Sequence, residues 1–137
     1  MPHFNISDEI TFRAICEAAK KISSPVLIGT SEGERKFIGL RQDVVLAGAF
    51  REEYGIPIFL NADHSYSVET AKSAVDAGYD SVHIDLSKLP FDENLKGAKE
   101  IVEYARKKNP NISVEGEVGY LVTESSKIYK EIIEVPE

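Results

Sequence analysis

Tryptophan is absent from this 137-residue chain, and cysteine and methionine occur once each. A single thiol, Cys16, closes no internal disulfide, so a reducing cytoplasm is the expected compartment. Its neighbours Ala14, Ile15, Ala18 and Ala19 mark it as a packed helix residue rather than a nucleophile. Positive charge is also short, because 16 Lys and Arg against 23 Asp and Glu leave a net charge of −7. A phosphate polyanion is held by a basic surface, so nucleic acid is not an expected partner. Apolar runs stop after a few residues, as in Ile56-Pro57-Ile58-Phe59-Leu60, where a bilayer needs about 20. Membrane insertion is not expected, and no basic-then-apolar leader follows Met1. With 42% hydrophobic residues and no low-complexity tract, the chain reads as one domain, or part of one, with a real core.

What is present is a regular alternation. His3-Phe4-Asn5-Ile6 gives way to the N-cap residues Ser7 and Asp8, and then to Ile15, Ala18, Ala19 and Ile22 at helical spacing. Val26-Leu27-Ile28-Gly29-Thr30 is apolar throughout and suits a strand buried on both faces. A loop through Gly33 and Gly39 leads to a helix over 42–54, closed by Gly55. A strand over 57–62, a helix over 68–77 ended by Gly78, and a strand over 80–86 follow. Pro90-Phe91-Asp92 opens a fourth helix that stops at Asn109-Pro110, and 112–118 is a fifth strand. Strand-helix alternation of this kind means a parallel sheet with right-handed crossovers. Two closures fit it, a doubly wound open sheet and part of a (β/α)8 barrel, and length alone favours the open sheet.

Charge gathers at the carboxyl ends of the strands, where both architectures build their sites. Strand three ends in Asn61-Ala62-Asp63-His64, strand four holds His83-Ile84-Asp85, and strand five reads Val114-Glu115-Gly116-Glu117-Val118. An inward carboxylate costs several kcal/mol unless it is paired, protonated or bound to a cation. Imidazole and carboxylate from three strand ends suit Zn²⁺ or another divalent ion. Helix capping by Asp63 and core packing of His83 are the plainer readings, and composition does not separate them.

Three segments, Pro57-Ile58-Phe59-Leu60-Asn61-Ala62-Asp63-His64-Ser65, the run from Asp76 through His83, Asp85 and Asp92 to Asn94, and Val114-Glu115-Gly116-Glu117-Val118-Gly119, carry a family likeness. Together they resemble the class II, metal-dependent fructose-bisphosphate and tagatose-bisphosphate aldolases, with weaker matches back to Phe4-Asn5. The resemblance implies an α/β fold of the (β/α)8 TIM barrel type, of which residues 1–137 supply about five strands, four helices and the following loop. It implies a lyase that cleaves a ketose 1,6-bisphosphate, with fructose bisphosphate the expected substrate, to dihydroxyacetone phosphate and an aldehyde by zinc-stabilised enolate chemistry. Carried over by position, Asp63 is the catalytic acid/base, His64 a ligand of the catalytic zinc, and Asp85 and Glu117 ligands of a second or alternative metal position. Glu124 falls in a loop where the family has glutamates of proton transfer, and Asn5 and Ser31 fall where it lines the first two strand ends with polar, substrate-facing groups.

Asn61 stands where the family has His, and Val122-Thr123 where it has two glycines. The family's other zinc histidines and its phosphate loops come from strands six to eight. The expectation is therefore a partial record of a longer aldolase-like chain, working as a homo-oligomer or completed by a further segment. A non-catalytic or partner-completed subunit is the alternative.

Overall fold

A computed structural model describes residues 1–119. Asp8 accepts the Thr11 amide at 2.7 Å and starts α1 (Glu9–Lys21) after the short strand β1 (His3–Asn5). Strand β2 (Val26–Thr30) runs into Ser31, which caps α2 (Glu32–Ile38) in a reciprocal box with Glu34. This short helix occupies the segment expected to be a loop. Its Ser-x-x-Glu start is a legible helix signal, masked in the sequence by Gly33 and Gly39. Helix α3 (Leu40–Tyr54) and helix α4 (Val68–Ala77) both end on left-handed glycines, Gly55 at φ 64° and Gly78 at φ 102°. Between them lies β3 (Ile58–Ser65), and β4 (Ser81–Ile84), α5 (Phe91–Lys108) and β5 (Ser113–Gly116) complete the described elements.

All five strands are parallel and pair in the order β1-β2-β3-β4-β5. A doubly wound sheet reverses its strand order at a switch point; strictly sequential pairing has none and forms an arc of a barrel. Alternation along β3 buries Ile58, Leu60 and Ala62, whereas Phe59 on the other face stays 40% exposed. Phe12 meets Phe50 edge-on at 4.8 Å, and Phe50 meets Tyr54 at 5.7 Å, so α1 and α3 lock over the sheet. Each such fully buried side chain stabilises by about 1.5–3 kcal/mol. Cys16 is buried in this layer, and burial pushes its thiol up to about 11, which removes it as a nucleophile. Among the described residues no helix is long and apolar enough to cross a membrane.

Polar groups also stitch the layers. Arg51 pairs with Asp80, whose carboxylate accepts the Leu60 amide at 2.8 Å. In the core, Tyr79 donates to Asp43 at 2.6 Å and lies 3.1 Å from the Thr30 hydroxyl.

Candidate metal centre

Adjacent residues on a regular strand face opposite ways, so Asp63 and His64 share a site only if the strand breaks step between them. It does. His64 adopts φ 43°, in the left-handed region, and the register of β3 against β4 shifts between Ala62 and Ser65. Ser65 rejoins the ladder opposite Ile84, so β3 continues three residues past the expected end at 62. A left-handed non-glycine costs about 1–2 kcal/mol, and Arg35 holds it in place. The buried guanidinium donates to the Thr30 carbonyl, to the Asp63 carbonyl at 3.0 Å, to the His64 carbonyl at 3.4 Å and to the Ser65 hydroxyl at 3.1 Å. Helix α2 exists in the right place to deliver it.

Around this bulge the strand-end groups converge. Asn5 donates its side-chain amide to Asp63 Oδ2 at 2.8 Å. The room for Asn5 comes from Gly29, its register partner on β2, because a Cβ there would lie 2.5 Å from the Asn5 amide oxygen. His64 Nδ1 lies 2.9 Å from Asp85 Oδ2 and 3.6 Å from Glu117 Oε2. Asp85 Oδ1 accepts the Ser87 hydroxyl at 2.6 Å and its amide at 3.1 Å. Glu117 is placed by Asn94 of α5, which donates to the Glu117 carbonyl at 2.7 Å. His83 sits between the two halves, Nδ1 3.7 Å from Asp63 Oδ1 and Nε2 3.3 Å from Glu117 Oε2.

Burial pushes the Asp63 carboxyl upward, but His83, Asn5 and the nearby His64 and His3 outweigh it and hold it at about 2. Burial likewise opposes ionisation of Asp85, and its bonds from Ser87 and His64 keep it below the usual carboxylate range. For His83 burial works downward and the carboxylates of Asp63, Glu115 and Glu117 work upward, with a net rise.

Asp63, His64, Asp85 and Glu117, expected at the site, therefore lie together, with Asn5 bonded to Asp63. Ser31 is found as the cap of α2, its side chain engaged with Glu34. Glu124, Val122 and Thr123 lie outside the described residues. Arg35 and Asn94 escaped sequence reasoning because each works through backbone carbonyls that only the fold brings near. Two overlapping triads, Asp63 with His64 and His83, and His64 with Asp85 and Glu117, each gather three ligand atoms within 4.8 Å of one another. Imidazole nitrogen and carboxylate oxygen are the donors that Zn²⁺ takes, so the residues present fit that ion.

The sequence matches the family model described as fructose-bisphosphate aldolase class-II over residues 1–135. It is 40% identical over 119 residues to the fructose-bisphosphate aldolase of Geobacillus stearothermophilus, covering 85% of this chain and 41% of that protein. Identity is 43% over 119 residues to the 6-phospho-5-dehydro-2-deoxy-D-gluconate aldolase of Shouchella clausii, with 85% and 40% covered. The crystal structure of the YdjI aldolase from Escherichia coli K12 superposes with a TM-score of 0.76 at 26% identity, over 88% of this chain and 45% of that one. The chain thus spans about two fifths of the length of the curated relatives it matches.

Proposed function

This chain belongs to the class II fructose-bisphosphate aldolase family, and from that premise we propose that it forms the proton-transfer and metal-binding part of a lyase. The reaction is reversible cleavage of a ketose 1,6-bisphosphate, fructose bisphosphate first, to dihydroxyacetone phosphate and an aldehyde. The observation supporting this reading is the meeting of Asp63, His64, Asp85 and Glu117 at the carboxyl ends of β3 to β5. His64, Asp85 and Glu117 hold the cation in this reading, with donors enough for a second divalent position. A Zn²⁺ bound there supplies Lewis acidity toward the ketose carbonyl.

The chain's own groups do the rest. Asn5 fixes Asp63 Oδ2, and Oδ1, with His83 Nδ1 3.7 Å away, is the oxygen this reading gives to the substrate. Asp63, anionic at neutral pH, takes the proton of the C4 hydroxyl at Oδ1 as the C3–C4 bond breaks, and returns it to the aldehyde oxygen in condensation. Asp85, anchored by Ser87, is held with its Oδ2 2.9 Å from His64 Nδ1, so the two groups reach the cation side by side. Asn5 and Ser31 line the substrate side, and Glu124 is a second proton carrier in this scheme. The setting it implies is the cytoplasm.

In a version with the remaining strands supplied, a chelator abolishes cleavage and Zn²⁺ restores it. Asp63→Ala lowers turnover by about 10²–10⁴-fold while bound zinc, read by elemental analysis, is unchanged. Cleavage by metal-free protein overturns the proposal. Because one relative is named for 6-phospho-5-dehydro-2-deoxy-D-gluconate, the assay runs that compound beside fructose 1,6-bisphosphate.

A further inference from the structure

His83 stands on β4 with 6% of its surface exposed. Its Nε2 is buried and has no hydrogen-bond partner among the described residues. A buried imidazole nitrogen left in that state is desolvated without compensation, so a ligand for it is the natural completion. The atom is not aimed at random. Glu117 Oε2 lies 3.3 Å from His83 Nε2 and 3.6 Å from His64 Nδ1, and the two imidazole rings are 4.3 Å apart at a tilt of 47°. Bonds of about 2.0–2.1 Å to a tetrahedral zinc set neighbouring donor atoms about 3.3 Å apart. Glu117 Oε2 thus stands at about donor spacing from one nitrogen of each ring.

We propose that His83 is a second imidazole ligand of the cation held by His64 and Glu117, an inference that rests on the metal reading above. Ligation through Nε2 leaves Nδ1 facing Asp63 Oδ1 at 3.7 Å, so one ring joins the cation to the proton-transfer carboxylate. Such an outer partner orients the group it touches.

The test uses the full chain with ¹⁵N-labelled histidine, titrated with Zn²⁺ alone, and then Co²⁺ alone read by visible absorption. The expected result is a shift of the His83 Nε2 resonance that saturates with bound zinc. His83→Gln and His83→Leu, checked for folding by circular dichroism, lose zinc affinity at least tenfold and change the cobalt bands. Unchanged affinity and bands in folded variants overturn the assignment to His83 alone. So does a wild-type His83 ring that keeps imidazolium ¹⁵N shifts at saturating zinc, a measurement that needs no variant to fold. Folded wild-type chain that binds neither ion overturns the metal reading and His83 with it.

Discussion

A carboxyl group with no exposed surface is stable only if its charge is compensated or its proton retained, and Asp43 shows the balance. It is 0% exposed on α3, takes one hydrogen bond from Tyr79 and leaves Oδ1 without a partner among the described residues. Burial raises its pKa, and the Tyr79 bond, the nearby Thr30 hydroxyl and the charge of Arg35 recover only part of that rise. A folded-state pKa above the unfolded 3.8 means that the native chain binds the proton more tightly. Its contribution is fully present below 3.8 and is lost as pH rises through the folded value. Asp43→Asn therefore gains stability over wild type as pH rises from about 3 to about 7, by about 1–3 kcal/mol in urea unfolding. A difference that stays flat across that range contradicts the account. Nothing near position 43 in the sequence reveals this, since Tyr79 reaches it only through the fold.

At the scale of elements, strand and helix positions were readable because each carries its own physics: apolar runs, 3.6-residue spacing, Asp8 as a cap and Gly55 and Gly78 as stops. Helices 42–54 and 68–77 and strand 26–30 match the structure to within two residues. The gathering of carboxylates at strand ends was legible for the same reason, since parallel sheets place them on one rim. The bulge was not, because φ 43° at His64 is a backbone state that histidine does not announce. Its brace was hidden with it, because Arg35 lies in the segment expected to be a loop, which the structure folds as α2. Arg35→Met removes the donors of three carbonyls and a hydroxyl, and the expected loss is about 3 kcal/mol in denaturant unfolding. Zinc affinity is expected to fall with it as His64 leaves its place. A loss under about 1 kcal/mol with metal binding intact rules the brace out.

At the largest scale the described residues form an arc whose sheet ends in β1 and β5, each paired on one side only among those residues. Phe4 is 47% exposed and Phe59 40%, and the face of α1 with Ile15, Ala18 and Ile22 borders an apolar groove beside Phe4. Edges and apolar faces of this kind recruit further strands or further copies. Light scattering on the chain alone is expected to show mass rising with concentration, collapsing to a discrete complex when a polypeptide carrying the later barrel strands is added. A folded monomer across about a hundredfold dilution series excludes this. The irregular step in β3 also sets what can be transplanted. A protein engineer who grafted Asn61 to Ser65 onto an idealised strand would copy every letter and still lose the centre, because without the kink the His64 ring swings away from Asp85 and Glu117. The portable unit is the kinked strand together with the helix that delivers Arg35.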